Sequence, residues 1–196
     1  MLRGGANMGP KIKFTREQII DVAFEIAETE GINGITMRKI AEQMGSSVAP
    51  IYVNFKNVEE LNEALLERII KVSQQLLSEE SSGNPFYDMG KASLRFAAEY
   101  GTIFRDLVMT NNSRIKVYDE KVIPALIEQM KQDPELEGFT VDELQIILLK
   151  MKIFQLGLSV MVANGSLLRE YGLQDLMDLL SSAANDVILS ARWSKG

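Results

Sequence analysis

The sequence predicts an all-α protein: an N-terminal set of three short helices with a helix-turn-helix spacing, followed by a larger helical body. Three observations point there. Apolar residues recur at three- and four-residue spacing in almost every segment, the signature of helices that bury one face. Alternating β-branched runs are hard to find, and only five prolines interrupt the chain. Short segments closed by glycine come first, and long ones follow.

Taken in order, the first helix begins after Thr15, because Thr15 followed by Gln18 fits a capping box. Ile19, Ala23, Ile26 and Ala27 form its apolar face, widened by Ile20 and Phe24. Gly31 and the Asn33-Gly34 turn end it. Thr36 caps a second short helix whose buried face is Met37, Ile40, Ala41 and Met44, and Gly45 stops it. Ser46-Ser47 is expected to open a third helix reaching about Asn54, with Ile51 and Phe55 inward. A long fourth helix over residues 57–77 carries Leu61, Ala64, Leu65, Ile69, Val72 and Leu76 at helical spacing, and residues 78–85 (SEESSGNP) read as a linker. Beyond it the spacing predicts one helix over 86–109 and another over 117–132, where Pro124 opens a turn or a kink. Thr140 and Glu143 repeat the capping box at the start of a helix running to about Ala163, and the last helix covers 173–193.

Composition bounds the chemistry. The 196 residues carry 21 basic and 27 acidic side chains, a net charge of −6, with 46% apolar residues and neither cysteine nor histidine. Disulfides, thiol nucleophiles, zinc ribbons and Ser–His–Asp triads are thereby excluded, and no metal or cofactor is expected. Acidic pairs such as Asp119/Glu120 and Asp142/Glu143 could serve acid–base chemistry in principle. Neighbours on a helix point about 100° apart, however, so such pairs do not converge on one site. Residues 1–10 are glycine-rich and lack the apolar core of a signal peptide. The longest apolar stretch, 153–163, is broken by Gln155 and falls short of the ~18 residues that mark a spanning helix. A cytoplasmic protein with no membrane partner is the expectation.

Residues 36–54 form a short helix, a glycine turn and a second short helix, the spacing of a helix-turn-helix. Such a unit presents the first residues of its second helix, here Ser46, Ser47, Ala49 and Pro50, where they can reach base edges in a major groove. An ordinary helical hairpin has the same spacing.

The run FTREQIIDVAFEIAETEGINGITMRKIAEQMGSSVAPIYVNFKNVEELNEAL, residues 14–65, closely resembles the N-terminal domain of TetR-family transcriptional regulators. The matching elements are Ile20, Ala23 and Phe24, then Gly31 and Gly34, then Thr36-Met37-Arg38-Lys39-Ile40-Ala41 and Gly45. Ile51-Tyr52, Phe55-Lys56 and Glu59-Glu60-Leu61 complete the pattern. The resemblance implies a flexible arm over 1–13, a DNA-binding head over 14–57, and a ligand-binding and dimerisation body over 58–196, with the fourth helix connecting the two. It implies phosphate contacts from Tyr52, Lys56, Thr36, Arg38 and Lys39, with Lys11, Lys13 and Arg16 as further basic candidates. Ser46, Ser47, Val48, Ala49, Pro50 and Asn54 then face the groove. Val48, Pro50 and Asn54 stand where the family often has Lys or Arg, Thr and His, so base readout is expected to lean on apolar contacts, thymine methyls among them, with hydrogen bonds from Ser46, Ser47 or Asn54.

For the body, the resemblance implies a cavity for a small apolar or amphipathic effector, and its candidate lining is Phe96, Tyr100, Phe104, Tyr118, Met130, Met151, Phe154 and Gln155. It also implies a homodimer through the last two helices, with Leu158, Met161, Leu173, Leu176, Leu180, Ala183, Val187 and Ala191 as candidates. The implied function is a repressor that binds a pseudo-palindromic operator and is released by an inducer. The alternative is a helical ligand- or partner-binding protein with a degenerate helix-turn-helix. Charge distribution permits DNA: the first 57 residues hold 7 basic and 6 acidic groups, and the excess acidity lies in the body.

Overall fold

The structure, a computed structural model, describes residues 14–109, 113–165 and 167–194, leaving aside the side chains of 109, 113–119 and 168. The N-terminal arm with Lys11 and Lys13, and the side chains of Tyr118 and Asp119, lie outside the described residues. The described chain contains nine α-helices and no strand: α1 (Arg16–Glu30), α2 (Met37–Gln43), α3 (Ala49–Asn54), α4 (Val58–Glu79), α5 (Pro85–Glu99), α6 (Gly101–Met109), α7 (Ser113–Met130), α8 (Val141–Ala163) and α9 (Leu173–Trp193).

Caps set most of these boundaries. The Thr15 hydroxyl accepts the Gln18 N–H while Gln18 reaches back to the Thr15 N–H, and Thr140 and Glu143 do the same for α8. Thr36 and Asn57 cap α2 and α4 by accepting from Lys39 and Glu60. Several boundaries depart from the sequence reading. The third helix starts at Ala49 rather than at the serines, with no side-chain cap and with Pro50 in its first turn, where a missing N–H costs nothing. The single helix expected over 86–109 is two, α5 and α6, broken at Tyr100 (φ −118°, ψ 42°). Both sides of the break are tied by packing: Tyr100 meets the rings of Phe24 and Phe96, and Gly101 lies against the backbone of Ala163, where a Cβ would sit 3.4 Å from its carbonyl oxygen. The 78–85 linker is shorter than expected, since α4 continues to Glu79 and α5 begins at Pro85. Pro124 lies inside α7.

Two apolar clusters hold the helices together. One runs from α1–α3 through the inner face of α4 into Ala92, Phe96, Ala97, Ile103, Phe104 and Leu107 of α5 and α6. The other joins α5, α7, α8 and α9 around Leu94, Met130, Leu144 and Ile147. Leu158, Leu176 and Leu180, candidates for a dimer face, are buried within this second cluster instead, Leu180 against Gly90 of α5. The outward faces carry Ile146, Leu149, Ile153, Phe154 and Met161 on α8 and Leu179 and Leu189 on α9, all exposed. By length and composition α8 as a whole could cross a membrane, with a mean hydropathy of 1.8 over its most apolar window. The 153–163 stretch alone did not reveal this, since the helix begins at Val141.

Candidate nucleic-acid interface

The head builds its outer surface on a fixed α3. Ile51 and Phe55 have no exposure, so one side of this six-residue helix is locked into the core. Arg16 stacks its guanidinium 4.0 Å from the centre of the Phe55 ring, donates to the Asn54 carbonyl at 2.7 Å, and pairs with Glu60 at 3.1 Å. The sequence-level reading had Arg16 as a backbone neutraliser; the structure commits it to bracing α3 and α4. Glu60 also accepts the Lys56 N–H at 2.9 Å, and that bond, with Arg16, holds its carboxyl below the usual range.

What α3 shows to solvent is uncharged. Ser47 and Ala49 are exposed, Ser46 and Pro50 half-buried, and Val48, Tyr52 and Val53 are 39%, 53% and 86% exposed. Asn54 departs from the expected groove-facing role: its amide nitrogen donates to the carbonyls of Pro50 at 3.0 Å and Phe14 at 3.3 Å, stitching the end of α3 to the chain entering α1. Ser46 donates its hydroxyl to the Ser47 carbonyl. Val53 was missed in the sequence, although a four-residue step from Ala49 puts both on one face of a helix.

Around α3 stand the phosphate candidates. Thr36 is exposed at the N-terminus of α2, and its oxygen accepts the Lys39 N–H at 3.1 Å while its O–H stays available to donate. Arg38 is exposed and pairs with Glu42 at 2.8 Å, and Lys39 pairs with Glu30. The Lys56 side chain and the Tyr52 ring are exposed. Exposed pairs of this kind contribute about 0–1 kcal/mol, so Arg38 and Lys39 can exchange their carboxylates for phosphate at little cost.

A second feature lies in the body: a cavity of about 570 Å³ lined by residues of α4–α9 and open to solvent on one side. Of the candidate lining residues, Phe96, Phe104, Met151 and Gln155 border it. Tyr100, Met130 and Phe154 do not. Tyr100 is turned toward Phe24 by the α5–α6 break, Met130 is wholly buried in the second apolar cluster, and Phe154 is 40% exposed outside. Tyr118 falls among the side chains left aside. On α8 the lining residues Leu148, Met151, Lys152 and Gln155 follow helical spacing opposite the exposed stripe, with Leu156 at the edge between the two.

The short α6 touches both regions. Phe104, Leu107 and Val108 form cavity wall, while Asp106 accepts the N–H of Asn33 at 3.2 Å in the turn between α1 and α2. Arg105 donates to the Ala163 carbonyl at the end of α8 at 2.7 Å. Among the described residues no group of three carboxylates is placed to hold a metal ion.

Residues 19–65, which include α2, α3 and the start of α4, match the family model described as bacterial regulatory proteins, tetR family. The helix-turn-helix transcriptional repressor DrrR1 of Streptomyces coeruleorubidus is 30% identical over 91 residues, an alignment covering 46% of this chain and only 30% of that repressor's length. A helix-turn-helix regulator encoded upstream of dhlA in Xanthobacter autotrophicus is 29% identical over 63% of this chain and 67% of its own. Among solved structures, a TetR-family regulator from Streptomyces coelicolor superposes with a TM-score of 0.73 at 17% identity, covering 94% of this chain and 83% of its own. One from Rhodococcus sp. gives 0.66 at 19% identity over 88% and 98%. Residues 19–65 are thus similar to the tetR family of bacterial regulatory proteins, and the helical fold of the chain is similar to the folds of the two solved regulators.

Proposed function

We propose that the chain is a dimeric repressor that grips a pseudo-palindromic operator with one α3 from each protomer and lets go when a small apolar molecule fills the body's cavity. The observation that carries this reading is the anchoring of α3. Its inner side is fully buried and its end is tied to α1 through Arg16 and Asn54, so its outer face is held as rigidly as a groove-reading helix requires. In this reading residues 14–57 are the DNA-binding head, 58–196 the sensing and dimerising body, and 1–13 an arm. Thr36, Arg38, Lys39, Tyr52 and Lys56 meet phosphates, while Ser46, Ser47, Val48, Ala49 and Pro50 face the bases.

A second copy covers the exposed stripe Ile146, Leu149, Ile153, Phe154 and Met161 of α8 together with Leu179 and Leu189 of α9. A two-fold axis through this face supplies the paired heads that two half-sites demand. The wall of Phe96, Phe104, Leu107, Met151 and Leu126 suits an apolar effector, and α6 is the part that both the effector and the head touch. Release then needs only that the effector prefer the body conformation in which the two heads no longer match successive grooves. The place of action is the bacterial cytoplasm.

The test is a titration of purified protein against the DNA upstream of its own gene at several salt concentrations. Steeply salt-dependent binding with preference for one duplex over scrambled controls supports the proposal. Weak binding of equal strength to every duplex favours a helical ligand-binding protein whose helix-turn-helix no longer reads DNA.

A further inference from the structure

The outer face of α3 offers few groups that could hydrogen-bond a base edge: the exposed hydroxyl of Ser47 just before it and that of Tyr52 on it. Asn54 spends its amide nitrogen on Pro50 and Phe14, and Ser46 spends its hydroxyl proton on the Ser47 carbonyl. Arg16 is engaged beneath the helix, and Arg38 and Lys39 lie on α2. Between Val48 and Val53 the outward side chains are Val48, Ala49, Tyr52 and Val53, with no carboxylate, amide, guanidinium or ammonium among them. Guanine is read by Arg or Lys, adenine by Asn or Gln, and cytosine by Asp or Glu. None of these pairings is open to this surface.

The major groove offers one apolar group, the C5-methyl of thymine. Val53 is 86% exposed on the helix that the function proposed above puts in that groove, and Ala49, four residues before it, lies on the same face. We infer that Val53 is a specificity-determining residue that reads a thymine methyl, with Val48 and Ala49 contributing further methyl contacts, so that each half-site is defined by thymines at the bases beneath α3. This inference rests on operator binding by α3. Burying one methyl against an isopropyl group changes affinity about fourfold, and the phosphate contacts supply the sequence-independent remainder.

The experiment begins with selection of binding sites from random-sequence duplexes by the full-length protein. The selected duplex is then synthesised with deoxyuridine replacing thymine at one position at a time, which removes the methyl and leaves the hydrogen-bonding edge intact. Affinities are measured by fluorescence anisotropy for the wild type and for Val53→Ala, whose fold is checked by an unchanged thermal midpoint. The expected result is one or two positions per half-site where deoxyuridine weakens wild-type binding about fourfold, and at least one where that loss shrinks toward none in Val53→Ala. A selected duplex that binds equally well with deoxyuridine throughout overturns the methyl readout and leaves operator binding standing. A deoxyuridine loss that Val53→Ala does not alter at any position overturns the assignment to Val53. Failure to select any duplex at low salt overturns operator binding itself, and the inference with it.

Discussion

Gly31 closes α1 in a conformation (φ 83°, ψ 165°) that is almost exclusive to glycine, and it does so against the body. A Cβ at this position would sit 2.5 Å from Asp106 Oδ2 and 2.9 Å from its Cγ. Gly31→Ala therefore imposes two separable costs. The backbone strain amounts to about 1–3 kcal/mol. Displacing Asp106 also takes an acceptor from the Asn33 N–H, worth about 0.5–1.5 kcal/mol. The sum is a destabilisation of about 1.5–4.5 kcal/mol. Urea unfolding at fixed protomer concentration measures it, as a lower midpoint with an unchanged slope. The companion variant Asp106→Ala removes the obstacle along with the acceptor, so the double variant should lose less than the two single losses combined. A Gly31→Ala protein within about 0.5 kcal/mol of wild type, inside the usual range for surface substitutions, or a strictly additive double variant, would refute the close approach of α6 to the head.

Three further outcomes are expected. Lys56→Ala should weaken binding to every duplex alike and reduce the slope of log affinity against log salt by about one, as read by anisotropy titration. Ile153→Lys, at a position 66% exposed in the protomer, should leave helicity intact and shift sedimentation toward monomer, because a charge would enter the apolar face between copies. Tyr87, whose hydroxyl reaches Glu135 and Asn185, has its pKa pushed up from 10.0 to about 12 by burial and then by Glu135. Below pH 10 it is protonated folded and unfolded; between about pH 10 and 12 only the unfolded chain releases the proton, so stability falls there as pH rises. Tyr87→Phe should flatten that alkaline decline in a stability-against-pH series.

What the sequence reveals here follows how local each signal is. The capping boxes at Thr15 and Thr140 and the cap at Thr36 involve residues three apart, and all three are found. The break at Tyr100 is tied to groups 62 and 76 residues away, Val162's neighbour Ala163 and Phe24, and no pattern within residues 86–109 announces it. Periodicity gives the cavity residues only half their meaning. Met130 and Met151 both lie on inward faces, but one packs into solid core and the other borders a void, a distinction set by α7 and α8 together. Around α3, the family resemblance put Asn54 among the groove-facing groups, whereas its bonds to Pro50 and Phe14 turn the amide nitrogen inward.

The apolar cluster that begins in α1 does not stop at the head; it continues without interruption through α4 into Phe96, Phe104 and Leu107. All three of those side chains line the cavity and belong to the same apolar cluster as the inner face of α1. Head and body are thus not interchangeable cartridges. A hybrid made by joining this head to a relative's body after residue 57 would separate α1 from the helices shaped to fit it. A junction placed after α6 carries that whole seam across intact, Gly31 and Asp106 included.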